Sequence, residues 1–206
     1  MIFLIRLIDG AKILRYFPFD YHNDASAFMA LLYFMKECGF HNFCPYWFNG
    51  FTSFQFTTPG WFFFAMPLYY LFGDVKIVVY TSIILSFILS FVIINNFLKK
   101  VSLQRRIVFF LFIFANAVAI GNFLRLGRPP ILLGWAIFLF LFFYLIKHIN
   151  NKLSITSVII LSLVSASLIL IHYVFAVFVL IMFISYFLIC KWKDKLKLFF
   201  AGILSL

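Results

Sequence analysis

Long apolar runs separated by short basic segments make up most of the chain after residue 76. A transmembrane helix needs about 17–25 mainly apolar residues, and five runs reach or approach that length. A sixth run starts near residue 196 and continues to residue 206. The pattern predicts an all-α protein, a polytopic transmembrane helical bundle with spans at about 77–98, 107–124, 131–146, 153–171, 173–190 and from 196 onward.

The apolar run from 153 to 190 is too long for one span. It has no Gly or Pro near its middle, where His172 lies between Ile171 and Tyr173. As one helix it would be about 57 Å long at about 1.5 Å per residue, well beyond a hydrocarbon core of about 30 Å. We therefore predict two helices that form a tight hairpin at His172.

Composition agrees with lipid as the solvent. Hydrophobic residues make up 66% of the chain, charged residues 11%, and the mean hydropathy is +1.10. A soluble globular domain carries about 25% charged residues, so that class is excluded. The net charge of +11 does not indicate nucleic acid, because the basic residues punctuate the apolar runs. We expect a lipid bilayer as partner and no nucleic acid.

Basic residues occupy alternate connections between the predicted spans, which orients the chain. Because such connections face the cytoplasm, the segment 17–74, the loop 121–130 and the junction at His172 are predicted to be external. The chain is then a multi-pass protein of the cell (plasma) membrane, a single transmembrane domain over 1–206 and expected to be the N-terminal part of a longer protein. Residues 1–16 are a poor first span, the tail of one, or an interfacial helix. The basic residues are Lys99, Lys100, Arg105, Arg106, Lys147, Lys152, Lys191, Lys193, Lys195 and Lys197.

The external loop 17–74 contains its own predicted helices. Residues 25–38 combine helix formers with an apolar stripe, which predicts a helix lying along the membrane surface and ending at Gly39. The aromatic run 61–72 is too short to span and predicts an interfacial or re-entrant helix that ends at Gly73. Between them, residues 41–60 show no sustained period, and a loop of this length is more often functional than a spacer.

Candidate chemistry is concentrated in Asp20, His22 and Asp24 at the start of this loop. The two carboxylates could hold a divalent cation, Mg or Mn, through oxygen ligands. One of them could instead act as a general base. The structural alternative is an exposed loop in which Asp24 caps the following helix. Cys38 and Cys44 share the loop and could form a disulfide, although two unpaired thiols are the favoured interpretation.

The order of parts over residues 17–149 resembles the C-type glycosyltransferases, polytopic enzymes that use polyprenyl-phosphate-linked sugars. Within that superfamily, the chain most resembles the prokaryotic membrane proteins that are similar to protein mannosyltransferases and oligosaccharyltransferases. In order along the chain these parts are an acidic motif, a surface helix ending in Gly, a Trp and Gly loop, an aromatic half-helix and a Phe-Gly-acid turn. The matching residues are Asp20, Gly39, Trp47, Gly50, Pro59, Gly60, Tyr69, Tyr70, Phe72, Gly73 and Asp74.

The resemblance implies inverting transfer of a sugar from a polyprenyl-phosphate donor to an acceptor on the non-cytoplasmic face. The family's first external loop carries an essential acid, a role that falls to Asp20 with Asp24 as the second candidate. Such a carboxylate deprotonates or orients the acceptor. Oligosaccharyltransferases have a second acidic motif in the next external loop, whereas loop 121–130 contains no acid.

Four further residues are candidates for substrate binding beside His22. Arg125 and Arg128 can lie on one helical face and bind a phosphate or pyrophosphate, or they contact lipid headgroups. His172 lines the same cavity or is a buried structural histidine. Trp47 can stack on a sugar. For Trp61, Tyr69 and Tyr70 the favoured interpretation is an interfacial aromatic belt.

Two other functions compete with the transferase. Transporters and lipid-handling proteins normally place ionisable residues within their spans, and the predicted spans here contain almost none. A non-catalytic assembly subunit would use the external loop only for docking and would not depend on Asp20.

Overall fold

The computed structural model describes Ile8 and residues 24–46, 49–55, 57–115, 120, 123, 126–149, 153–189 and 192–204. These residues are mainly helical, as the apolar pattern predicts. Their regular elements are α1 (Ala25–Cys38), β1 (Phe43–Cys44), β2 (Phe51–Thr52), α2 (Gly60–Phe72), α3 (Val75–Phe97), α4 (Leu103–Phe114), α5 (Pro129–His148), α6 (Ile155–Ile171), α7 (Val174–Ile189) and α8 (Trp192–Ile203).

Local sequence signals start and end several helices. Asp74 begins α3, where its Oδ1 accepts the backbone N–H groups of Lys76 and Ile77 at 2.7 and 3.4 Å. Gly39 and Gly73 end α1 and α2 with φ of +87° and +70°, backbone angles that cost other residues more than glycine. Both predicted endpoints of the loop helices are therefore confirmed.

The core forms where the aromatic loop helices meet the long helices. α3 packs along α5, α2 lies against α3, and a second cluster joins α5, α6, α7 and α8. Three serines on the buried side of α3 donate to carbonyls of their own helix, so no polar group is left unpaired there. The largest fully buried side chains are Trp61, Phe62, Phe114, Phe175, Leu32, Ile94, Leu132, Leu141, Leu145, Leu153, Leu161 and Leu168.

Two of the described helices, α3 and α5, are long and apolar enough to cross a membrane. α2, α6 and α7 are apolar but shorter, with 13, 17 and 16 residues. α6 ends at Ile171 and α7 begins at Val174, so the chain breaks at the predicted hairpin beside His172.

Other boundaries differ from the prediction. α4 begins at Leu103 rather than 107, because the turn carrying Arg106 is helical and its guanidinium bonds Asn95 at the end of α3. That helix ends at Phe114. Of the ten further residues 115–124 in the predicted span, seven lie outside the described residues: 116–119, 121–122 and 124. α8 begins at Trp192, four residues before the predicted sixth run.

A disulfide and a small hairpin organise the loop between α1 and α2. Cys38 and Cys44 are bonded, with their Cα atoms 5.4 Å apart, so the interpretation of two unpaired thiols was wrong. The bond ties the end of α1 to β1, which pairs antiparallel with β2. The loop lacks sustained periodicity because each strand has only two residues, and the hairpin was not predicted.

Candidate functional site

An ion pair joins two helix starts that are far apart in the sequence. Asp24 precedes α1, Arg128 precedes α5, and the Nε–H of Arg128 donates to Oδ2 of Asp24 across 104 residues. The two side chains are 39% and 40% exposed, so the pair lies at the surface rather than in the core. The backbone N–H of Asp24 also donates to the carbonyl of Leu126 at 3.4 Å, which holds the two segments together.

This ion pair differs from the alternative interpretation in which the side chain of Asp24 caps α1. Asp24 occupies the residue before α1, but its side chain makes no capping hydrogen bond to that helix. Its carboxylate instead binds Arg128. The helix-cap interpretation was therefore wrong, because the nearby guanidinium is a charged donor and backbone amides are neutral ones.

A cavity of about 450 Å³ opens beside the ion pair, and we call it the ion-pair cavity. Asp24, Arg128 and His172 supply its carboxylate, guanidinium and imidazole, from the starts of α1 and α5 and from the α6–α7 junction. The structure thus brings together three predicted site residues. The remaining lining is mostly aromatic and aliphatic: Phe28, Phe123, Ile131, Trp135, Tyr173, Val174, Phe175 and Phe178.

His172 is held in one tautomer by its own turn. The backbone N–H of Val174 donates to Nδ1 of His172 at 3.3 Å, so Nδ1 is an acceptor and the neutral ring carries its proton on Nε2. Burial, followed by the positive charge of Arg128, lowers the pKa of His172 below 6.5. The imidazole is therefore available as a neutral N–H donor.

Aromatic rings form the apolar wall of the ion-pair cavity. The ring centroid of Trp135 lies 5.8 Å from that of Phe175 and 5.3 Å from that of Phe178. Phe175 packs directly over Gly134, where an added Cβ would lie 2.1 Å from a ring carbon. A larger residue at 134 would force this buried ring to move. Gly134 thus sets the position of the wall.

Sequence reasoning did not identify Trp135, Phe175 or Phe178 as site residues. Their only signal was position, since they lie near the predicted external ends of two apolar runs. Which face of each helix turns toward Arg128 depends on helix packing, and the uniformly apolar α5 and α7 have no polar face to reveal it.

Several predicted site residues lie outside the described ones, namely Asp20, His22, Trp47 and Arg125. Within the described parts of the chain, no group of three or more His, Cys, Asp or Glu side chains could hold a metal ion. Asp24, one of the two predicted metal ligands, is bonded to a guanidinium, whose positive charge opposes a cation at that carboxylate. As paired here, Asp24 does not fit a metal ligand.

Two of the three residues assigned to an interfacial aromatic belt are in the core. Trp61 is fully buried, with its ring 5.9 Å from that of Phe28, and Tyr69 is buried as well. The belt interpretation was wrong for these two because α2 packs inward against α1 and α3. Tyr70 is exposed.

In comparisons with known proteins, no family model matches the chain, and no curated protein or solved structure matches it.

Proposed function

We propose that this chain is an integral membrane glycosyltransferase. It moves a sugar from a polyprenyl-phosphate donor to an acceptor on the non-cytoplasmic face by inverting transfer. The observation that carries the proposal is the ion-pair cavity, where a carboxylate, a guanidinium and a neutral imidazole meet an aromatic wall. A lipid-linked sugar phosphate has the matching parts, an anion joined to an apolar chain.

The apolar surface supports a multi-pass membrane protein. Besides α3 and α5, the shorter α7 exposes aliphatic side chains along much of its length, including Val177, Leu180, Ile184 and Leu188, each more than half exposed. Soluble monomers rarely expose contiguous apolar patches of this kind, whereas lipid is a suitable neighbour for them. The bundle therefore spans the bilayer with α6 and α7 as a hairpin.

The Cys38–Cys44 disulfide supports an external position for the loop between α1 and α2. Disulfides persist in oxidising compartments and are rare in the cytosol of most cells. This is independent of the distribution of lysine and arginine, which predicts the same side. The loop 17–74, which carries Asp20 and Asp24, then lies on the outer face of the plasma membrane.

We assign phosphate binding to Arg128 and His172 and the role of general base to Asp20. Arg128 bonds Asp24 through Nε, and the N–H groups of its two terminal nitrogens suit a phosphate oxygen. The Nε2–H of His172 is a second donor for the same phosphate. Asp24 positions Arg128. Asp20 is the proposed base, because the carboxylate of Asp24 is already engaged by the guanidinium.

In the proposed reaction, an acceptor hydroxyl attacks the anomeric carbon from the side opposite the phosphate. The new bond joins the acceptor oxygen to that carbon while the bond from carbon to phosphate oxygen breaks. The lipid phosphate leaves with the electron pair, and the hydroxyl proton passes to Asp20. His172 and Arg128 stabilise the leaving phosphate, and Trp47 and Arg125 are proposed to bind donor sugar and phosphate.

The direct test is donor turnover by the full chain in membranes, using radiolabelled polyprenyl-phosphate mannose and glucose. We expect Asp20→Asn to lower turnover by about 100-fold or more, the usual effect of losing a general base. Glu37→Gln is the matched control, because it neutralises an exposed carboxylate in the same loop. Unchanged turnover in Asp20→Asn would reject the base, and donor binding without turnover would favour a lipid-handling protein.

Metal dependence has its own arm in this assay. EDTA followed by Mg²⁺ or Mn²⁺ measures whether a divalent cation is needed. Loss of turnover in EDTA and its recovery with the cation would support a divalent cation in the reaction, and turnover that persists in EDTA would reject one.

A further inference from the structure

A second cavity of about 450 Å³ lies between α1 and the start of α3, and we call it the tyrosine cavity. Tyr33 and Phe34 of α1 form one side, and Asp74 and Lys76 form the other. Its volume falls within the range of about 300–1,000 Å³ that is typical of small-molecule sites. None of the residues assigned to the ion-pair cavity lines it.

Aromatic rings extend the tyrosine cavity toward the β-hairpin. Tyr46 stacks on Phe34, with the ring centroids 6.2 Å apart and the planes 21° from parallel, and it contacts Tyr33 at 6.4 Å. Tyr33 and Tyr46 are 42% and 62% exposed. The Cys38–Cys44 bond joins α1, which carries Tyr33 and Phe34, to β1, which ends two residues before Tyr46, so the rings are held in place before any ligand arrives.

The charges around the tyrosine cavity are balanced. The cations near it are Lys36 and Lys76, and the carboxylates are Glu37 and Asp74. This count covers the described residues of α1, the β-hairpin, α2 and the first turn of α3. Asp74 uses Oδ1 to cap α3, and its Oδ2 has no hydrogen-bond partner in the described part of the chain. That oxygen can accept hydroxyl donors.

We propose that the tyrosine cavity binds a neutral saccharide. The C–H groups of a sugar ring carry partial positive charge and pack on the negative faces of Tyr33 and Tyr46. The hydroxyls donate to Asp74, and balanced charge suits a ligand with no net charge. That this saccharide is the acceptor of the transfer reaction rests on the proposed function, whereas its binding does not.

The same features argue against a lipid headgroup as the ligand. Sites for anionic lipid headgroups carry lysine and arginine in excess. Here two carboxylates balance the two lysines, and Glu37 and Asp74 are both exposed. An anionic headgroup would be repelled by the carboxylate of Asp74, whereas a saccharide hydroxyl can donate to it.

Saturation-transfer NMR on the full chain in lipid nanodiscs tests the site with three neutral probes, mannotriose, cellotriose and chitotriose. At least one should bind, and trigalacturonate should bind more weakly. Tyr33→Ala and Tyr46→Ala should each raise its Kd about three- to tenfold, the range expected for loss of an aromatic contact. Asp74→Asn should raise it as well, while an asparagine still caps α3. Tyr70→Ala, which removes a tyrosine that is 71% exposed on α2 and outside the cavity, should have no effect.

Absence of binding by all three neutral probes would overturn the proposal, as would binding that neither Tyr33→Ala nor Asp74→Asn changes. Cross-peaks between the Tyr46 ring and lipid acyl protons would also overturn it, because the ring would then lie in the bilayer. Asp20→Asn separates the two proposals, since it should lower turnover by about 100-fold or more and leave saccharide binding intact. Saccharide binding by a chain with no transferase activity would reject the proposed function alone, and turnover without saccharide binding would reject the tyrosine cavity alone.

Discussion

At the scale of single residues, His172 shares the ion-pair cavity with the charged side chains of Arg128 and Asp24. Burial, and after it the positive charge of the Arg128 guanidinium, disfavours a positive charge on the imidazole and lowers the pKa of His172. The bond from Val174 N–H to Nδ1 works in the same direction, because it requires that nitrogen to be unprotonated. His172 therefore stays neutral at physiological pH and donates through Nε2.

This arrangement predicts a His172 titration midpoint below 6.5, measured by NMR on histidine-labelled protein with His172→Gln to assign the signal. Arg128→Gln should raise the pKa only part of the way, because burial is the larger cause. Arg105→Gln, at the start of α4, should leave it unchanged. A wild-type midpoint at or above 6.5 would contradict the assignment.

The sign of the linked stability follows from the same shift. Because the pKa of His172 is lower in the folded protein, the unfolded chain binds the proton first as the pH falls. The contribution of His172 to stability is therefore complete above pH 6.5. It declines as the pH falls from there toward the folded pKa.

At the scale of elements, the start of α2 and the residues just before it pack against the last turn of α6. The Oγ1–H of Thr58 donates to the carbonyl of Ile171 at 3.0 Å. An added Cβ at Gly60 would lie 2.7 Å from the carbonyl carbon of Leu170 and 2.8 Å from the amide nitrogen of Ile171. This contact fixes the end of α6, and hence His172, relative to the aromatic loop.

We expect Gly60→Ala to lower the free energy of unfolding by about 1–3 kcal/mol, because backbone atoms cannot rotate away from the new methyl group. Thermal unfolding in detergent would measure the change. Gly202→Ala in α8 is the matched control, since its nearest neighbour would be a side-chain atom 3.6 Å away. That helix should be unaffected or stabilised by up to about 1 kcal/mol. Equal stability of the Gly60 and Gly202 variants would reject the close backbone contact.

At the scale of the whole molecule, the two sides of the bundle carry different chemistry. Arg106 and Asn95 pair where α3 meets α4, and Lys197 bonds the carbonyl of Leu153 before α6. The ion-pair cavity, by contrast, gathers the starts of α1 and α5 and the α6–α7 junction. The proposed function needs these two groups on opposite faces of the membrane.

Cysteine labelling with a membrane-impermeant maleimide tests that arrangement in a Cys190→Ser background. Tyr173→Cys, at an exposed junction position, should label in intact cells. Lys99→Cys, between α3 and α4, should label only after permeabilisation. The reverse result would place the ion-pair cavity on the cytoplasmic side, and labelling of both in intact cells would contradict a membrane crossing between them.

Sequence by itself determined the features that depend on neighbouring residues. The bounds of α1, the glycine endings at Gly39 and Gly73, and the break at His172 follow from propensity, capping chemistry and the length of apolar runs. These signals act over a few residues, so one sequence is enough to detect them.

Only the tertiary structure decided the contacts that bring distant segments together. The pairing of Asp24 with Arg128, the burial of Trp61 and the aromatic wall around Phe175 depend on which helix faces meet. In α3, α5, α6 and α7 nearly every face is apolar, so hydrophobic periodicity cannot distinguish a core face from an outward one. Helix packing makes that choice through the fit of side chains such as Phe175 over Gly134.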